Sequence, residues 1–146
     1  MGKDSMNSAE FLAYIASDKK KRQSRERKLQ TACVTWFRFQ FPKFRYLLFS
    51  IPNGAQLYGN KTERAKQWRA LEAEGATPGA ADLFLSIPSG DFPGLYIEMK
   101  TPKGTQSAKQ KAFEQAVIEQ GYGYAIPRTF EAFQKTILSY LENGVY

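Results

Sequence analysis

Between Asp82 and Lys100 the chain spells out a strand, a turn and a second strand, and that stretch restricts the possible folds more than any other. In Gly94-Leu95-Tyr96-Ile97-Glu98-Met99-Lys100, alternation points Leu95, Ile97 and Met99 to one face and Tyr96, Glu98 and Lys100 to the other. Asp82 opens a second apolar run ending at Ile87, and Pro88 to Pro93 is turn chemistry centred on Gly90. Folding the ribbon at Gly90 sets Asp82 opposite Glu98. Two carboxylates and an ammonium then meet at one end of a sheet, as a divalent-metal site acting on phosphate requires.

A length of 146 residues suits one domain with a real core, and a hydrophobic content of 42% argues for a folded globule. No apolar run approaches a membrane span, and the N-terminus lacks the basic-then-apolar pattern of a secretory leader. The expectation is a cytoplasmic protein with no membrane partner. Cys33 is alone and lies on an apolar helical stripe, which reads as a buried thiol in a reducing compartment. The absence of histidine excludes imidazole-based triads, and with a single cysteine any metal must be a hard ion held by oxygens.

The net charge of +7 is concentrated. Lys19, Lys20, Lys21, Arg22, Arg25, Arg27 and Lys28 stand against Glu26 alone, and a smaller group holds Lys61, Arg64, Lys66 and Arg69. Such stripes fit phosphate-backbone contacts. A solvated helix face or a flexible arm explains the first run equally well.

Residues 1 to about 7 read as frayed, followed by a short helix over Ser8 to Ser17. Residues 1–23 are thus expected to form a basic arm and 24–146 the folded domain. A second helix, capped by Ser24, carries Leu29, Ala32, Cys33, Trp36 and Phe37 inward and stops before Pro42. A strand over Tyr46 to Ile51 and a helix over Lys61 to Glu74 follow. Beyond the hairpin, Ser107 and Gln110 form a capping box that opens a helix with Ala108, Ala112, Phe113, Ala116 and Val117 on one stripe. A strand at Tyr122 to Ile126 precedes a last helix, capped by Thr129, with Phe133, Ile137 and Leu141 inward. The order implies an α/β fold with a mixed central sheet flanked by helices.

Asp82 and Glu98 are the candidate metal ligands, since paired carboxylates repel until a cation is bound. Lys100 shares the face of Glu98, where it would orient the attacking water or offset charge on the phosphate; a plain ion pair is the alternative. Glu26 sits at the edge of the inward stripe, either as a further ligand or as an acid favoured by the helix dipole. Gln110 is explained by its cap, yet the same position can present its amide to a phosphate or water. Asn53 and Tyr58 to Asn60 lie in loops with groups able to touch a nucleic-acid backbone.

Taken in order, these segments resemble the VRR-NUC group of the PD-(D/E)XK nuclease superfamily over about Glu26 to Leu141. The carriers are Glu26 to Gln30, Ile51-Pro52-Asn53-Gly54, Gly79-Ala80-Ala81-Asp82-Leu83, Ile97-Glu98-Met99-Lys100, Gln110 and Gly121-Tyr122. The resemblance implies a restriction-endonuclease-like core and a Mg2+- or Mn2+-dependent nuclease acting on DNA, with branched or flapped substrates favoured. It implies that Asp82, Glu98 and the Met99 carbonyl bind the metal, that Lys100 positions water, and that Glu26 and Gln110 assist. Ala81 departs from the proline that many members carry there. Small members of this kind tend to be homodimers, which would hold two sites at fixed spacing. The rival readings are a non-catalytic nucleic-acid binder working through Lys19 to Lys28, and a dimeric scaffold.

Overall fold

The computed structural model describes residues 8–52 and 57–146. From Ser8 to Gln40 the sequence contains neither glycine nor proline and is rich in Lys, Arg, Gln and Ala, so nothing interrupts a helix. One helix, α1 (Ser8–Gln40), accordingly replaces the two expected. Ser24 lies inside it rather than capping it, and the backbone runs unbroken through residues 23 and 24. At about 1.5 Å per residue α1 spans about 50 Å. It stops where Pro42 removes an N–H, passing through one 3-10 turn at Pro42–Phe44.

Four short strands follow in the chain, β1 (Leu48–Ser50), β2 (Leu83–Leu85), β3 (Leu95–Ile97) and β4 (Gly123–Ala125), and they lie in that order in one sheet. The pairs β1–β2 and β2–β3 are antiparallel, whereas β4 runs parallel to β3 after crossing through α3 (Ala108–Glu119). The sheet is therefore mixed, as the order of elements implied. Helices α2 (Lys61–Ala73) and α4 (Phe130–Asn143) complete the fold.

Alternation sorts the strand side chains. Leu48, Leu83, Leu85, Leu95 and Ile97 are fully buried on one face, against Cys33 and Phe37 of α1 and Phe133, Ile137 and Tyr140 of α4. Each contributes about 1.5–3 kcal/mol by leaving water. The opposite face carries a cross-strand row, Phe49, Phe84, Tyr96 and Tyr124, paired in register. Phe113 of α3 meets Tyr96 edge-on at 5.3 Å. Only Phe113 and Val117 of the expected α3 stripe are half-buried; Ala108, Ala112 and Ala116 face solvent. On α4 the fully buried third position is Tyr140, with Leu141 half-covered beside it. The Tyr140 hydroxyl donates to the Ile87 carbonyl at 2.8 Å, which reconciles a phenol with a core position.

The hairpin turns where the sequence placed it. Ser89 and Phe92 exchange two backbone hydrogen bonds, and Gly90 between them has φ +56°, a conformation that favours glycine. Ser89 Oγ also donates to the Tyr140 carbonyl, so α4 fixes the turn from outside. Among the described residues no helix is long and apolar enough to cross a membrane.

Candidate active site

Hairpin register builds the site. Leu83 pairs with Ile97, so one step further along the ladder Asp82 stands opposite Glu98. Asp82 Oδ2 accepts the Met99 N–H at 2.7 Å, which holds its carboxylate against the Glu98–Met99 peptide. Gly79, at φ +84°, prepares this approach. A Cβ there would stand 2.4 Å from the carbonyl carbon of Lys109, so only glycine lets the loop before Asp82 press on the first turn of α3.

Glu98 is 1% exposed, an unusual position for a carboxylate. Its Oε1 accepts from Gln110 Nε2 at 2.6 Å and meets Lys100 Nζ at 3.1 Å. Its Oε2, also buried, has no hydrogen-bond partner among the described residues. Burial raises the Glu98 pKa to about 7; the Asp82 charge adds to the rise, Lys100 opposes it, and Glu26 contributes a smaller push upward. Asp82 is raised too, first by burial, although the Met99 N–H and Lys100 pull the other way. Two desolvated carboxylates, one of them with an oxygen that has no partner among the described residues, make a costly arrangement that a hard divalent cation would relieve. The donor set therefore fits Mg2+ or Mn2+.

Gln110 forms the expected cap, and its amide is turned to a carboxylate rather than to a phosphate or water. Its Oε1 accepts the Ser107 N–H to close the capping box, while its Nε2 reaches Glu98. Glu26 is half-buried and its Oε1 lies near Gly104, where a Cβ would come within 3.3 Å of it and of Lys100 Cδ. It feels Asp82 and Glu98 electrostatically. Among the described residues, however, no three acidic or cysteine side chains gather into a metal-binding group. Glu26 thus stands beside the pair rather than completing a three-carboxylate shell.

The basic run divides around α1. Lys19, Arg22, Gln23 and Glu26, spaced i, i+3, i+4, i+7, line an open groove of about 350 Å³ together with Lys100 and Gln110. Lys20 belongs to a different groove with Arg27 and Lys28, and Lys21 and Arg25 are exposed and line neither groove. Lys61 and Arg64 are exposed on the first turn of α2, which Asn60 and Glu63 cap reciprocally. They do not line the groove at Lys100. Asn53 lies outside the described residues.

Two contributors escaped the sequence reading. Arg128 Nη1 donates to the carbonyls of Thr101 and Gly104, clasping the loop that follows Lys100. Tyr124 is buried on the same sheet face as Glu98. Burial, then the Glu98 charge, pushes that phenol upward. A parallel pairing of β3 with β4 was the available signal for Tyr124; for Arg128, one arginine in a loop gave none.

No model of a known protein family and no curated protein matches the chain. A solved structure described as a "VRR_NUC domain protein" superposes with a TM-score of 0.67 at 20% sequence identity, covering 81% of this chain and 90% of that one. The chain therefore has the fold of that protein, in agreement with the resemblance drawn from its motifs.

Proposed function

We propose that this chain is a divalent-metal-dependent endonuclease of the VRR-NUC type, hydrolysing DNA phosphodiester bonds with a preference for branched, flapped or junction DNA. The observation that carries the reading is Glu98: a carboxylate buried to 1% exposure, with one oxygen clamped by Lys100 and Gln110 and the other without a partner among the described residues. A buried acid of this kind costs folding free energy, and acids so perturbed cluster at functional sites. Fold likeness to a VRR_NUC domain protein points the same way.

Asp82 and Glu98 would hold Mg2+ or Mn2+, with the Met99 carbonyl as the main-chain oxygen. When bound, the ion supplies Lewis acidity toward the scissile phosphate and acidifies a coordinated water. Lys100, already aimed at Glu98 Oε1, positions the attacking water and offsets negative charge on the phosphate as the new P–O bond forms and the ester P–O bond breaks. Gln110 keeps Glu98 in its rotamer, and Glu26 adds negative charge that favours a cation. Lys19 and Arg22 line the same groove and would receive the flanking phosphates. A homodimer belongs to the proposal, because branched DNA offers paired scissile bonds and α1 exposes Phe11, Leu12 and Ile15 for contact. A cytoplasmic setting fits the buried free thiol of Cys33.

The test is cleavage of linear, flap and four-way DNA in Mg2+ or Mn2+ by the native protein and by Lys100→Ala. Native cutting of branched substrates, with loss of about a hundredfold or more in the variant, is expected. Equal activity in both proteins, or none in either, would overturn the assignment. In that event a non-catalytic nucleic-acid binder, dependent on Lys19 to Lys28, would remain.

A further inference from the structure

Between Glu26 and Glu63 the sequence contains no acidic residue, while it contains Arg27, Lys28, Arg38, Lys43, Arg45 and Lys61. The fold brings part of this stretch together away from the groove at Lys100. On α1, residues 27, 30, 31, 34, 35 and 38 fall on one side of the helix, turned from the buried side of Cys33 and Phe37. Opposite them lies β1, an edge strand with one side unpaired. The space between is an open groove of about 370 Å³. Arg27 and Arg38 mark its length, Thr31 and Thr35 stand along its wall, and Phe49 and Val34 supply apolar surface.

Aromatic side chains are open to solvent on β1, which walls this groove, and on the turn that leads into it. Tyr46, just before β1, is 78% exposed and has the Arg45 guanidinium 5.1 Å from its ring centre. Phe49 is 44% exposed and rests on Phe84 at 5.8 Å. Exposed rings beside unopposed cations are the two components of a single-strand platform: bases stack on the rings and the cations follow the phosphates. Duplex DNA keeps its bases stacked on each other and has no use for such rings.

We infer that the groove between α1 and β1 binds an unpaired DNA strand, with bases stacked on Tyr46 and Phe49 and phosphates met by Arg27, Arg38 and Arg45. The inference rests on the nuclease reading for its choice of nucleic acid and deepens it. A protein that holds a single strand in this groove selects flaps and splayed ends by their unpaired arm.

Binding is measured by fluorescence anisotropy in EDTA, so that no cleavage occurs, with a labelled oligothymidylate and with a duplex of equal length. Tyr46→Ala is expected to weaken oligothymidylate binding about tenfold, the value of one stacked base, with duplex binding unchanged and Tyr46→Trp restoring the affinity. Phe49→Leu, which keeps contact with Phe84, is expected to weaken the same ligand selectively. Arg38→Ala is expected to lower the slope of log affinity against log salt by about 0.7. Loss of equal size on both ligands, loss on neither, or failure of the native protein to bind oligothymidylate overturns the proposal. A Tyr46→Ala protein that sediments as monomer where the native protein is a dimer also overturns it, since the surface would then join two copies. Single-strand binding without cleavage in Mg2+ would sink the nuclease reading and leave this one standing.

Discussion

Glu98 sets the chemistry at the scale of single residues, because in the proposed site a proton and a metal ion would compete for the same buried oxygens. Its folded pKa of about 7 lies above the ordinary carboxylate value of 4.5, so the folded protein binds a proton that the unfolded chain releases. Its contribution to stability is fully present below pH 4.5 and is lost as pH rises to about 7. In EDTA the melting temperature is therefore expected to fall between pH 5 and 8, and Glu98→Gln is expected to flatten that fall. Differential scanning fluorimetry across the range checks both. Gln110 belongs to the same scale, since one amide closes a capping box and holds Glu98. Gln110→Ala should cost about 1–2 kcal/mol in urea unfolding. Gln110→Glu would keep the capping acceptor but set a second charge against Glu98.

At the scale of elements, the hairpin and the first turn of α3 do most of the positioning. Gly79→Ala forces a Cβ into the Lys109 carbonyl at a backbone angle that L-residues rarely adopt. A loss of about 2 kcal/mol or more by urea unfolding is expected, with cleavage falling in parallel. Arg128→Ala frees the loop of Thr101 to Gly104 and should reduce cleavage while the melting temperature changes by only a few degrees. The hairpin was legible in the sequence because period-2 alternation and turn chemistry both act locally. Asp82 opposite Glu98 followed from those two facts alone. The continuity of α1 was misread at Ser24, since a serine before an apolar run resembles a cap when the preceding turns carry only charge. Propensity decided otherwise: with no glycine or proline, the helix had no reason to stop. The exposed alanines of α3 show the converse error, because a stripe of small residues satisfies periodicity without requiring burial.

For the whole molecule, the sheet separates stability from function. Its leucine-rich face with α1 and α4 is the core, and Ile137→Ala there should cost about 2–5 kcal/mol. Its other face, with α3, presents Glu98 and Lys100 at one end. The fold class and the acidic pair could be read from the chain because they rest on alternation and order. The division of the basic run into two grooves could not, since it depends on which side of one long helix meets the sheet. Arg128 and Tyr124 were hidden for a similar reason: each reaches the site from β4 or the loop beyond it, and no local pattern announces that approach. A divalent ion held by Asp82 and Glu98 is the claim on which the enzyme reading rests. Titration of Mn2+ followed by electron paramagnetic resonance tests it most directly, comparing the native protein with Asp82→Asn and Glu98→Gln. Saturable binding in the native protein, weakened at least tenfold in both variants, is the expected result. Mn2+ uptake by the variants equal to that of the native protein would contradict it.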